Sequence, residues 1–147
     1  MTVAESQKLY DCAARLPKDA VVVEIGTFQG GSAAIMAAAI EGTVYTIDIN
    51  PKTEPSIPEL ENIQFITGTS KEVAETWDKP IDMLFIDGDH FYVGVHEDIK
   101  NWVSKVKDGG IVCFHDYGSH TEVTIAVNEA LMKRISFPNH SLLAIIK

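Results

Sequence analysis

Five short, almost unbroken apolar runs constrain the fold of this chain more than any other feature. They are Val21-Val22-Val23, Val44-Tyr45-Thr46-Ile47, Ile63-Gln64-Phe65-Ile66, Met83-Leu84-Phe85-Ile86 and Ile111-Val112-Cys113-Phe114. A strand with one wet face alternates apolar and polar residues, whereas these runs hardly alternate. They therefore predict parallel strands covered on both faces. Segments of helical periodicity separate them: Thr2 to Leu16, Ser32 to Ile40, Ser70 to Trp77, Tyr92 to Val106 and Thr121 to Arg134. The first opens with Thr2-Val3-Ala4-Glu5, the form of a capping box. The fourth carries Val95, Ile99, Trp102 and Val106 on one stripe, with Gly109-Gly110 after it as stop signals. Right-handed β-α-β crossovers then give an α/β, Rossmann-like, doubly wound and mostly parallel sheet. The tail from Ile135 to Lys147 reads as two short strands around Pro138-Asn139, a C-terminal antiparallel hairpin at the sheet edge.

No linker or repeat interrupts the alternation over 147 residues, so residues 1–147 are expected to form one domain. The net charge is −9 and the 12 Lys and Arg are scattered, which repels a phosphate backbone and argues against nucleic acid as a partner. Cys12 and Cys113 lie far apart in sequence within apolar patterns and are expected to be reduced core thiols, with no disulfide framework or zinc site. The longest uncharged run, Ile25 to Ile40, contains glycines and falls short of the ~18 apolar residues of a membrane span. The N-terminus lacks the basic start and apolar stretch of a signal peptide. A cytoplasmic location and no membrane partner are expected.

In an open parallel sheet, ligands bind outside the carboxyl ends of the strands at the point where the strand order reverses. The first strand ends in Glu24-Ile25-Gly26-Thr27-Phe28-Gln29-Gly30-Gly31-Ser32 and runs into a helix. Its glycines permit a tight turn and close ligand approach, and the free N–H groups of the helix start welcome an anionic group. The second strand ends in Asp48-Ile49-Asn50-Pro51, where a carboxylate is placed to accept both hydroxyls of a ribose. A nucleoside-containing cofactor follows. Phe28 stands where the dinucleotide fingerprint needs its second glycine, which counts against NAD.

Asp87, Asp89 and His90 end the fourth strand, and His115, Asp116 and Tyr117 end the fifth, its expected neighbour. Two acidic strand ends side by side make an oxygen-rich rim able to hold a hard divalent cation such as Mg²⁺. Imidazole is a poor magnesium ligand, so His115 leaves manganese, iron or no metal open. Asp89 is read as the cap of the helix near Tyr92. His96, His120 and His140 have no such company and read as surface or turn residues.

E-x-G-x-x-x-G-x-S followed by D-I-N-P is similar to motifs of class I S-adenosylmethionine (SAM)-dependent methyltransferases. The likeness continues through Gly68-Thr69-Ser70 and Ile86-Asp87-Gly88-Asp89-His90 and covers nearly the whole chain. In detail the chain resembles the small-molecule O-methyltransferases of the catechol O-methyltransferase-like and macrolide-sugar O-methyltransferase-like branches. That resemblance implies SAM as cofactor and a small-molecule hydroxyl as methyl acceptor. It puts Glu24 and Gly26 near the amino-acid end of SAM with Phe28, Gly30 and Ser32 beside them. Asp48 is implied to hold the ribose, Ile49 to pack on the adenine, Ser70 to border it and Asp87 to face the sulfonium. In metal-dependent relatives the acid ending strand four and a pair ending strand five hold a cation, which implicates Asp87, His115 and Asp116. Their proton acceptor lies three residues beyond the strand-four acid, here His90.

Two other readings stay open. One is a non-catalytic SAM-binding module or accessory subunit, since little of this chain lies outside the core. The other, an NAD-dependent oxidoreductase, is disfavoured by Phe28 and by the lack of a substrate domain. A homodimer is expected, because a second copy could supply the missing wall over the acceptor.

Overall fold

A computed structural model describes residues 1–50, 60–132 and 143–146. In chain order its elements are α1 (Val3–Ala13), β1 (Val21–Ile25), α2 (Gly31–Ala39), β2 (Thr43–Asp48), β3 (Ile63–Thr67) and α3 (Ser70–Thr76). They continue with β4 (Ile81–Ile86), α4 (Tyr92–Trp102), a 3₁₀ turn (Val103–Lys105), β5 (Val106–Phe114), α5 (Thr121–Leu131) and β6 (Leu143–Ile146). One six-stranded sheet runs in the order β3-β2-β1-β4-β5-β6. The first five strands pair parallel, and β6 lies antiparallel against β5. The expected hairpin is not shown: β6 accounts for its second half, and Ile135, Pro138 and Asn139 fall outside the described residues.

The apolar runs of the central strands have two faces to bury, and each face has its own core. Val22, Val44, Met83, Phe85 and Cys113 pack with Leu9 and Ala13 of α1 and with Ala33, Met36 and Ala37 of α2. On the opposite face Val23, Ile47, Leu84, Ile86, Val112 and Phe114 pack with Val95, Ile99 and Trp102 of α4 and Val123 and Val127 of α5. Each large side chain so buried is worth about 1.5–3 kcal/mol, so the stripes fix which helix covers which face. The capping box at Thr2 forms in both directions, with Glu5 N–H bonding the Thr2 side chain and the Glu5 carboxylate accepting from Thr2 N–H.

Three further expectations need correction. β3 is an edge strand whose Gln64, Phe65 and Thr67 are exposed, so it is not covered on both faces. Gly109-Gly110 lies inside β5, because α4 gives way at Val103 to the 3₁₀ turn and the strand begins at Val106. The β4–β5 register shifts between Ile81 and Met83, and this irregularity takes up the two glycines. Asp89 does not cap α4: the N-cap is Phe91, and Asp89 accepts from Phe91 N–H at 3.0 Å in the preceding turn. The donor at Tyr92 N–H is met instead by Glu122 of α5 at 2.7 Å.

Cys12 and Cys113 are both free thiols, the first partly exposed and the second buried. Among the described residues no helix is long and apolar enough to cross a membrane.

Candidate active site

The sheet order reverses between β1 and β4, and the helices that follow them leave in opposite directions over the two faces. The crevice between them deepens into a cavity of about 860 Å³ at the carboxyl ends of the strands. Its walls include Gly26, Phe28, Asp48, Ile49, Ser70, Asp87, His90, His115 and Asp116, so nine of the twelve residues expected from sequence meet around one space. Glu24, Gly30 and Ser32 do not line it.

At the β1–β2 end, Gly26 has φ +93°, and a Cβ on it would lie 2.2 Å from the carbonyl oxygen of Asp87. Only glycine lets β1 pass so close to the end of β4. Phe28 takes a left-handed conformation, φ 46°, which costs a residue with a side chain roughly 1–2 kcal/mol. In that conformation its N–H and that of Thr27 both donate to Asp48 Oδ2, at 3.1 and 3.0 Å, while Asn50 N–H donates to Oδ1 at 2.9 Å. Asp48 is thus held by three backbone donors at the rim. Its remaining lone pairs are open to a ligand.

Glu24 lies beneath this turn, fully buried, and accepts from the Ser32 hydroxyl and from Thr46 Oγ1 at 2.5 Å. Thr46 Oγ1 also shares a hydrogen bond of 2.6 Å with Thr27 Oγ1. Burial pushes the Glu24 pKa up to about 8 against these bonds, so it is mostly neutral near pH 7. Glu24 and Ser32 therefore tie the first turn of α2 to β1 and β2 and hold the Gly26 to Gly30 turn from behind.

The β4–β5 end is charged. His90 Nε2 lies 2.8 Å from Asp116 Oδ2 and 4.0 Å from Asp87 Oδ1. Asp116 is the second left-handed residue with a side chain, φ 58°, and its Oδ1 accepts from Ser119 Oγ at 3.0 Å. Backbone strain at a rim like this persists only where the surroundings enforce it. His115 Nδ1 stands 3.2 Å from Asp87 Oδ1 and 3.0 Å from Asp116 Oδ2, and its Nε2 stands 3.7 Å from Glu5 Oε2 of α1. Neither ring nitrogen is aimed well enough to make a directed hydrogen bond, so charge attraction carries these contacts. The Asp87 carboxylate, outweighing burial and assisted by Asp116, pushes the His115 pKa up to about 9. Burial would raise Asp116, but Ser119 and the two histidines hold its carboxyl below the usual range.

With its pKa at about 9, His115 carries a positive charge at neutral pH and would have to release a proton to bind a cation. The donor atoms that converge are those of Asp87, His90 and Asp116, all within 4.8 Å of one another. This trio fits a divalent cation that accepts nitrogen and oxygen ligands; it shares Asp87 and Asp116 with the expected set and has His90 in place of His115. Asp87 Oδ1 and Asp116 Oδ2 would have to exchange the His115 charge for that of the cation.

The third wall, from the β3–α3 turn and α4, holds a residue that apolar periodicity does not single out. Asp98 is 7% exposed, lines the cavity and accepts from Ser70 Oγ at 2.5 Å. Ser70 in turn accepts from Trp102 Nε1 at 2.8 Å. The signal that could have found it is a carboxylate at position 98 on the buried stripe between Val95, Ile99 and Trp102, where an acid has no reason to be unless something bonds it.

Residues 23–117 match the sequence profile of a family described as a methyltransferase domain. A protein of Acanthamoeba polyphaga mimivirus designated R132 is 33% identical over 131 residues, covering 76% of this chain and 59% of that protein. The chain thus spans 59% of that relative's length. Among solved structures, the O-methyltransferase NovP superposes with TM-score 0.77 at 19% identity, covering 99% of this chain and 80% of the other. The O-methyltransferase TomG of Streptomyces achromogenes, involved in tomaymycin synthesis and solved in complex with SAM, gives 0.76 at 20% identity, covering 92% and 70%. An rRNA methylase of Streptococcus thermophilus gives 0.73 at 18% identity, covering 92% and 82%. At these identities the structural likenesses establish a shared fold.

Proposed function

From the premise that the chain belongs to the methyltransferase-domain family, we propose that it binds SAM in the cavity and transfers the methyl group to a hydroxyl of a small molecule. The observation that carries this reading is the placement of two unlike ends around one space of about 860 Å³. Asp48 stands at one end beside the Gly26 turn, and Asp87, His90 and Asp116 stand at the other. The solved relatives add support, since TomG is an O-methyltransferase that holds SAM. The charge of −9 favours a small-molecule acceptor over RNA, even though an rRNA methylase shares the fold.

In this reading Asp48, fixed by its three backbone donors, accepts the ribose hydroxyls, and Ile49 and Ser70 flank the base. The sulfonium supplies the methyl group. Asp87 faces that positive centre, and the walls hold donor and acceptor oxygen in line, which is where most of the rate arises. His90 takes the proton of the attacking hydroxyl. Asp116, 2.8 Å from Nε2, fixes the ring and stabilises the imidazolium that forms, leaving Nδ1 as the base. His115 supplies a fixed positive charge between the two carboxylates, so the rim is less negative than its acids suggest.

A second reading is favoured by the convergence of Asp87, His90 and Asp116. These residues would hold a divalent cation, which would lower the pKa of a coordinated acceptor hydroxyl. In that case His90 is a ligand and cannot be the base. Methyl transfer that survives EDTA and fails in His90→Ala supports the base; transfer lost in EDTA and restored by Mn²⁺ supports the cation. The proposal as a whole is tested by calorimetric titration with SAM, S-adenosylhomocysteine and NAD. Binding of the first two alone is expected, and binding of NAD in their place would overturn it.

A further inference from the structure

We infer that Asp98 reads the base of the bound nucleoside, its free carboxylate oxygen accepting from the exocyclic 6-amino group of adenine and so rejecting 6-oxo purines. The inference rests on the nucleoside reading above and assigns a specificity to a residue outside it. Oδ1 of Asp98 is taken by Ser70, whereas Oδ2 has no hydrogen-bond partner among the described residues. The side chain is more than nine-tenths buried and forms part of the cavity wall, and Oδ2 would lie 3.7 Å from a Cβ placed on Gly88. Gly88, which also lines the cavity, stands beside that oxygen and places no side chain against it.

Among the described residues the buried side-chain atoms that lack a partner are those of His115, so Asp98 Oδ2 opens onto the cavity, where a ligand donor would make a charge-assisted hydrogen bond to it. Burial, with Asp89 and Glu97 adding to it, pushes the Asp98 pKa up to about 6, which leaves the group mostly ionised at pH 7.5 and able only to accept. The complementary ligand edge must therefore donate. With Asp48 at the ribose and Asp87 and His90 at the methyl group, the base is left to the wall built from the β3–α3 turn and α4. Adenine presents an amino group at its 6-position, and hypoxanthine presents an oxygen. Opposite a carboxylate in a closed site, that oxygen repels.

The test is calorimetric titration of the intact chain and its Asp98→Asn and Asp98→Ala variants at pH 7.5, using three nucleosides. They are S-adenosylhomocysteine, its 6-oxo (inosyl) analogue and its 6-hydrogen (purine) analogue, and thermal melting checks that each variant is folded. The unaltered chain is expected to bind the adenosyl compound more than about thirtyfold tighter than either analogue. Asp98→Asn keeps an oxygen for Ser70 and can turn its NH₂ toward a 6-oxo group, so its preference for adenosyl over inosyl should fall to within about threefold. A merely structural role would weaken all three ligands together and leave the ratios alone. Ratios near one in the unaltered chain, or ratios unchanged in folded Asp98→Asn, overturn this inference and leave the SAM reading standing. Failure of the unaltered chain to bind S-adenosylhomocysteine overturns both, and the unaltered chain's own ratios decide the matter if neither variant folds.

Discussion

At the β1–β2 end of the cavity the Asp48 carboxylate is held by three backbone N–H groups, whereas at the β4–β5 end Asp87 and Asp116 are held mainly by two histidine rings. Backbone donors neither titrate nor swing away, so the first end is fixed in advance of the ligand and is suited to binding. At the second end His115 supplies positive charge and His90, engaged with Asp116 through Nε2, has Nδ1 left to take a proton, so that end is suited to handling one. Each end contains one strained residue, Phe28 or Asp116, but to different purpose. Phe28 uses its conformation to aim an N–H at Asp48, while Asp116 uses its own to turn a carboxylate toward His90 and His115.

The largest effect should come where the two ends touch. Gly26→Ala would drive a Cβ to within 2.2 Å of the Asp87 carbonyl oxygen at a positive φ, and overpacking plus backbone strain cost about 2–5 kcal/mol. Against a total stability of roughly 5–15 kcal/mol, thermal melting should show a severely lowered midpoint or no folded protein. A variant that melts normally would mean that the strand ends can part and that the division between them is not rigid.

His90→Ala separates the ends more cleanly. Turnover, measured with radiolabelled SAM on an acceptor found by screening hydroxylated compounds, should fall by roughly 10²–10⁴-fold. Asp48→Ala should act in the opposite sense, weakening SAM affinity more than about tenfold in calorimetry through the loss of charged hydrogen bonds. If instead it leaves affinity intact and slows turnover, the assignment of the two ends is reversed.

A further effect, spread over both ends, is on stability against pH. Glu24 and His115 both have pKa values raised in the folded state, to about 8 and about 9. Folded Glu24 keeps a proton that the unfolded chain loses above its ordinary value of 4.5, so it destabilises increasingly as pH rises toward 8. The stabilisation from His115 is complete below 6.5 and is lost as pH rises through about 9. Stability should therefore decline from pH 5 to pH 9. Glu24→Gln, which can still accept from Ser32 and Thr46, should melt a few degrees higher at pH 8.5 (about 1 kcal/mol is worth 2–8 °C) and show no gain at pH 5. The same shift at both pH values would mean that Glu24 is not buried neutral.

Much of this architecture is legible in the amino-acid sequence. The apolar runs of β1, β2, β4 and β5 state that both faces are covered, and the residues that close each run, Gly26, Asp48, Asp87 and Asp116, share a rim because parallel strands put all their carboxyl ends on one side. Features that depend on distant partners are not legible. The donor at the start of α4 is met by Glu122, thirty residues beyond Tyr92, although local pattern offers the nearby Asp89 as the cap. Glu24 is placed near SAM by the family resemblance alone, and local pattern does not show its burial beneath the turn. Its partner Thr46 comes from β2, and strand order, which local pattern does not encode, brings the two together. The contact of His115 with Glu5, from the far end of the chain, is likewise not legible. Asp98 escapes a reading by periodicity, which counts apolar residues and is silent about the acid among them.

If binding resides at the β1–β2 end and proton handling at the β4–β5 end, the turnover-deficient His90→Ala variant should still hold SAM, and its affinity measured by calorimetry separates the two roles most directly. That affinity should lie within about twofold of the unaltered chain's, because His90 meets the acceptor and Asp48 keeps its three backbone donors. An affinity that falls in step with turnover would contradict the division, since His90 would then be supporting the cofactor and the two ends would act as one.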